Sequence, residues 1–167
     1  TFIRRSDVVQ IACIAQLVNV IAPIMTEPGG GSWRQTIFYP FKFASLHGRG
    51  TALQLDVDCA TYKADVADKV SYLDIAGVHD GDEGTITFFA VNRNGEEPLE
   101  VAVSLEGFGT AKSVEHTLIQ HDDLEARNTR DNQKNVVPVE GRGASLEGNG
   151  LALVLPAYSY SMVRVHL

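Results

Sequence analysis

The stretch Thr85-Ile86-Thr87-Phe88-Phe89-Ala90-Val91-Asn92 sets the character of this chain. β-Branched and aromatic residues recur along it with the two-residue period of a strand that lays one face on a core. Just before it, Asp80-Gly81-Asp82-Glu83-Gly84 reads as a hairpin turn, with strand text at Tyr72–Val78 on the far side. Further out, similar short runs recur at Ala52–Val57, Leu99–Leu105, Ser113–Ile119, Leu151–Leu155 and Tyr160–Val165, separated by Gly, Asp and Asn. The alternation in Val101–Leu105 is looser, and Gln120 to Gly150 is polar and loop-like. Seven or eight strands with no helical pattern between them predict a mainly β domain over residues 51–167, an antiparallel β-sandwich of jelly-roll type.

Upstream of Gly50 the text differs. Asp7-Val8-Val9-Gln10-Ile11-Ala12-Cys13-Ile14-Ala15-Gln16 is apolar on both parities. That suits a strand buried on both faces, as in a parallel sheet, and equally a buried helix. A second apolar run, Leu17 to Met25, is interrupted by Pro23, and Glu27-Pro28-Gly29-Gly30-Gly31-Ser32 reads as a loop. Gln35 to Leu46 suits a helix stopped at Gly48-Arg49-Gly50, with Pro40 in its first turns. A single βα unit cannot bury both of its faces, so residues 1–50 are expected to find partners upstream of Thr1. Nothing at Thr1-Phe2-Ile3-Arg4-Arg5 resembles a start or export signal, and no apolar run of 18 residues predicts a membrane span.

The net charge of −7 is uneven. Residues 1–50 carry five basic and two acidic side chains, leaving nine basic against 19 acidic in the β-rich remainder. Such an acidic surface argues against a nucleic-acid partner, whose phosphates demand clustered Lys and Arg. Cys13 and Cys59 have no metal-site spacing and read as reduced structural thiols, in keeping with a cytoplasmic protein. No phosphate loop, dinucleotide fingerprint, nucleophile elbow or zinc spacing occurs, so no cofactor and no metal is expected.

Among candidate site residues, Glu27 follows a possible strand and precedes a Gly-rich loop. A retaining glycosidase needs two carboxyls about 5–5.5 Å apart, and within residues 1–50 only Asp7, at the opposite end of the strand, could partner it. Glu27 is therefore read as a loop or capping carboxylate. Gln16 ends an apolar run, where its amide can donate to and accept from a sugar hydroxyl or satisfy neighbouring backbone. Asn19 shares that ambiguity with a weaker case. Trp33 suits either a stacking face for a sugar ring or a packing anchor. His47 reads as a helix C-terminal residue, and His116 and His121 have no nucleophile motif beside them.

Ala15-Gln16-Leu17-Val18-Asn19-Val20-Ile21-Ala22-Pro23-Ile24-Met25-Thr26-Glu27 resembles the late-barrel segment of glycoside hydrolase family 51 α-L-arabinofuranosidases. Trp33-Arg34-Gln35-Thr36-Ile37-Phe38-Tyr39-Pro40-Phe41 and Gly48-Arg49-Gly50 continue the resemblance. Phe89-Ala90-Val91-Asn92-Arg93 and His121-Asp122-Asp123-Leu124-Glu125-Ala126 resemble the family's β-domain. The resemblance implies a (β/α)8 barrel followed by a β-sandwich, with Val9–Gln16 as the eighth barrel strand and Gln35–Leu46 as the eighth helix. It implies retaining hydrolysis of terminal α-L-arabinofuranosyl groups from arabinan and arabinoxylan oligosaccharides. Both catalytic glutamates would lie upstream of Thr1, so none is assigned here and this chain alone is expected to be inactive. Gln16 matches the glutamine that hydrogen-bonds the arabinose beside the scissile bond; Trp33 matches a tryptophan without a defined role and is kept as a loop contact. With Val8 to Met25 uncovered, a homo-oligomer is expected. The rival reading is a non-catalytic carbohydrate-binding sandwich. Against it, residues 51–167 hold no tryptophan and only Tyr62, Tyr72, Tyr158 and Tyr160 as large amphipathic aromatics.

Overall fold

The computed structural model describes residues 1–167. In chain order its elements are β1 (Ile24–Thr26), β2 (Ser32–Arg34), α1 (Phe38–His47), β3 (Thr51–Leu53), β4 (Thr61–Ala64), β5 (Ala67–Ser71) and β6 (Leu73–Asp80). There follow β7 (Thr85–Asn92), β8 (Leu99–Ser104), β9 (Ser113–Ile119), β10 (Val139–Glu140), β11 (Ala144–Glu147), β12 (Gly150–Leu155) and β13 (Ser159–His166). A six-stranded antiparallel sheet in the order β10-β9-β13-β7-β6-β3 faces a three-stranded sheet, β11-β12-β8. The predicted sandwich is present.

Alternation explains which side chains meet. Ile86, Phe88 and Ala90 of β7, with Val163 and Val165 of β13, pack against Leu151, Leu153 and Leu155 of β12. The intervening residues of the large sheet, Val78, Phe89, Ile119 and Met162, face the other way and are covered by Phe43 of α1 and by Val136. The large sheet is thus buried on both faces, which accounts for the near-continuous burial of β7. Its outer face is closed by the N-terminal unit and by the segment leading to β10.

Strands β7 and β9 run over the predicted residues, and the turn between β6 and β7 forms as read. Asp80 Oδ1 accepts the backbone N–H groups of Asp82 and Glu83, each at 3.1 Å, and Gly84 takes φ +63° to return the chain. The strand expected at Ala52–Val57 stops at Leu53, because the chain leaves the sheet edge and turns Leu55 and Cys59 toward the core. The loop expected from Gln120 to Gly150 contains β10 and β11. The hairpin β11–β12 pairs Glu147 with Gly150 around Gly148-Asn149, with Gly148 at φ +56°. A Gly at the first central position of a two-residue hairpin loop is a turn signal that the sequence carried.

The largest correction lies at Val9–Gln16. These residues form no strand; they run irregularly after a helical turn that ends at Val8. A parallel strand draws its backbone hydrogen bonds from neighbouring strands, and this chain supplies none there. For the same reason Cys13 is exposed rather than structural, while Cys59 packs against the core. Helix α1 begins three residues later than predicted, with Pro40 in its first turn, where a missing N–H costs no helical hydrogen bond.

Candidate functional site

Gln16 lies on the surface of the N-terminal unit with its backbone at φ +56°. Asn19 (φ +63°) and Val20 (φ +59°) follow in the same left-handed region, which is unfavourable for a β-branched residue. Asn19 holds this loop closed: its amide donates to Thr26 Oγ1 at 2.9 Å and accepts the Thr26 N–H at 2.7 Å. Its backbone N–H also donates to Ile24 O at 2.8 Å. Asn19 is therefore a loop staple, and Gln16 is the amide left free to face a cleft of about 550 Å³. Cys13, Leu17, Phe38, Phe41 and Leu46 give that cleft an apolar lining, joined by the polar Lys42.

Trp33 sits opposite Met25 in the β1–β2 hairpin and does not line the Gln16 cleft. Its indole N–H is buried and has no hydrogen-bond partner. Glu27 Oε2 pairs with Arg130 Nη1 at 3.2 Å, and Asp7 pairs with Arg5 at 3.1 Å. Both acidic groups of the N-terminal unit are thus engaged by guanidinium groups and serve as local anchors. Three or more His, Cys, Asp or Glu side chains never gather as a metal site would require.

Two residues that position this unit had no signal in the sequence. Asn128, inside the polar loop text, is fully buried; its amide donates to Arg34 O and Val136 O, both at 2.9 Å, and accepts the Val136 N–H at 2.7 Å. It ties the hairpin beside the Gln16 loop to the segment covering the large sheet. At the other end, Asp74 of β6 receives Arg4 and Arg93. Burial pushes the Asp74 carboxyl upward, but the hydrogen bond and charge of Arg4, with Arg93, outweigh it and hold the group below its ordinary range. His47 is the last residue of α1, as read from the sequence; burial, then the charge of Arg164, lowers its pKa.

The fold is thus a two-sheet β-sandwich joined to a hairpin-and-helix unit that carries an amide-bearing apolar cleft. Residues 1–159 match the α-L-arabinofuranosidase C-terminal domain, and the chain belongs to that family. It is 43% identical over 165 residues to an intracellular exo-α-(1→5)-L-arabinofuranosidase 1 of Bacillus subtilis (strain 168), covering 99% of this chain and 33% of that protein. It is 41% identical over 169 residues to an exo-α-(1→6)-L-arabinofuranosidase of Bifidobacterium longum, covering 99% of this chain and 32% of that protein. Among solved structures, a family 51 α-L-arabinofuranosidase from Bifidobacterium longum superposes with a TM-score of 0.91 at 34% identity, covering 99% of this chain and 32% of that one. The chain spans about a third of the length of the curated relatives it matches. No helix is long and apolar enough to cross a membrane.

Proposed function

We propose that this chain is the C-terminal third of an intracellular, retaining α-L-arabinofuranosidase, and that Gln16 is its contribution to the sugar site. The observation that carries the reading is the uncovered apolar surface around Gln16. Ten of the 16 large apolar side chains left exposed lie between Phe2 and Leu46, among them Ile11, Leu17, Val20 and Ile21. That is the surface a last barrel strand and helix would bury against the rest of a barrel. The β-sandwich serves as scaffold and subunit contact.

In this reading two glutamates outside the chain carry the double displacement, one protonating the leaving oxygen and the other attacking the anomeric carbon. Gln16 accepts from one ring hydroxyl and donates to another, fixing the furanose for in-line attack. The substrates are arabinofuranosyl-containing oligosaccharides of the arabinan and arabinoxylan type. Relatives of nearly equal identity carry (1→5) and (1→6) names, and both linkages fall within the proposed substrate class.

The test compares this chain with the full open reading frame for release of an aryl group from an α-L-arabinofuranoside. Turnover by the full-length protein alone is expected. Turnover by residues 1–167 alone would refute the account of the catalytic glutamates. The same apolar surface makes the isolated chain self-associate; light scattering that finds only monomer would sink that part.

A further inference from the structure

The four tyrosines that looked scattered in the sequence of the β-domain line one groove. Tyr62 of β4, Tyr72 between β5 and β6, and Tyr158 and Tyr160 at the start of β13 surround a depression of about 990 Å³. It is open enough for a chain of several sugar rings and shares no lining residue with the Gln16 cleft. Tyr62 and Tyr72 pack ring on ring, centroids 4.8 Å apart. Tyr160 is fixed from behind by Phe43 of α1, in a stacked pair at 6.4 Å.

Tyr158 is the most exposed of the four, at 48%. It is also the one non-glycine residue outside the Gln16 loop with positive φ, at +45°. Its backbone N–H donates to Asn94 O at 2.9 Å, and its ring covers Gly95, where a Cβ would come within 2.3 Å of the ring carbons and hydroxyl. Beneath it, Asn92 is fully buried, donating to Leu155 O at 3.0 Å and Pro156 O at 2.9 Å and accepting the Asn94 N–H at 2.8 Å. A strained backbone, a glycine that makes room and a buried amide together hold an aromatic ring out to solvent. Tyr158 belongs to neither buried core cluster of the sandwich.

Charge narrows the ligand. Arg93 in the groove is engaged by Asp74, a carboxylate it shares with Arg4, and it faces Glu96 and Asp123 of the lining, beside Gln120 and His121. An anionic ligand would meet two carboxylates against one guanidinium that is already hydrogen-bonded to Asp74. A neutral sugar chain meets aromatic faces for its apolar C–H surfaces and polar groups for its hydroxyls.

We propose that this groove binds a neutral oligosaccharide segment and so holds an arabinan-type chain on the β-domain. The choice of sugar rests on the proposed function; the groove and its preference for a neutral chain do not. The test is retardation of the full-length protein in native gels containing linear arabinan, with polygalacturonate as the anionic comparison. Retardation by arabinan is expected, with an apparent dissociation constant raised at least fivefold in both Tyr158→Ala and Tyr62→Ala, and largely kept in Tyr158→Phe, whose ring remains. Melting temperatures confirm that the variants are folded. Equal retardation of wild type and both alanine variants would overturn the proposal, as would preference for polygalacturonate. A wild type that is retarded by arabinan but releases no aryl group from an arabinofuranoside removes the proposed activity and leaves the groove standing.

Discussion

The N-terminal unit and the β-sandwich are built from equally apolar text, yet they end in opposite states. In the sandwich, Ile86, Phe88, Leu151 and Val163 are sealed between two sheets. In the N-terminal unit, Ile11 remains 83% exposed, and Leu17 and Val20 are nearly as open. Hydrophobicity alone does not bury a residue; a strand needs a neighbour that satisfies its backbone before its side chains can pack. The sandwich supplies those neighbours within the chain, whereas Val9–Gln16 finds none.

The sharpest way to break this comparison is truncation on each side of it. Phe88→Ala, at a site 2% exposed, should cost the isolated chain about 3–5 kcal/mol in urea unfolding. Ile11→Ala should cost less than about 0.5 kcal/mol there. Comparable losses would mean that the N-terminal unit has a core of its own. Next in size is the tie between the two regions. Asn128→Ala leaves Arg34 O, Val136 O and the Val136 N–H without their partner, a cost of about 1–3 kcal/mol. Limited proteolysis should then cut within residues 1–37 faster, while the sandwich fragment persists.

Smaller again is Asp74→Asn, which separates Arg4 and Arg93 from a partly exposed carboxylate and should cost about 1 kcal/mol or less at neutral pH. Because the folded-state pKa of Asp74 is depressed, its stabilisation is complete above the ordinary carboxylate pKa and is lost as pH falls through the folded value. The variant should therefore differ from wild type at pH 7 and converge with it in strong acid.

The smallest effect concerns His116. Its Nε2 lies 2.9 Å from Ser161 Oγ, its Nδ1 is buried without a partner, and burial lowers its pKa below 6.5. The folded protein therefore binds a proton at this ring less readily than the unfolded chain does. Stability should thus be full above pH 6.5 and decline as pH falls from there through the folded-state pKa. Urea midpoints at pH 7.5 and 5.0 should differ less in His116→Asn than in wild type, with His47, also depressed, retaining part of the slope.

Much of this molecule was legible in its residues. Strands β7 and β9, the Asp80–Gly84 turn and helix α1 follow from local periodicity and turn chemistry, because their side chains carry the pattern of the face they cover. Gln16 stood out as an amide closing an apolar run, and it lines an apolar cleft. Other features had no local signal. Asn128 looks like any polar loop residue until its carbonyl partners, Arg34 and Val136, are brought to it from elsewhere in the chain.

What the sequence determined by itself is where strands and turns can form and which faces they would bury, since those depend on neighbours a few residues apart. Only the tertiary structure decided which potential strands found partners and that Tyr62, Tyr72, Tyr158 and Tyr160 share one groove. Pairing and convergence depend on contacts between residues far apart in the chain, and no local pattern encodes them.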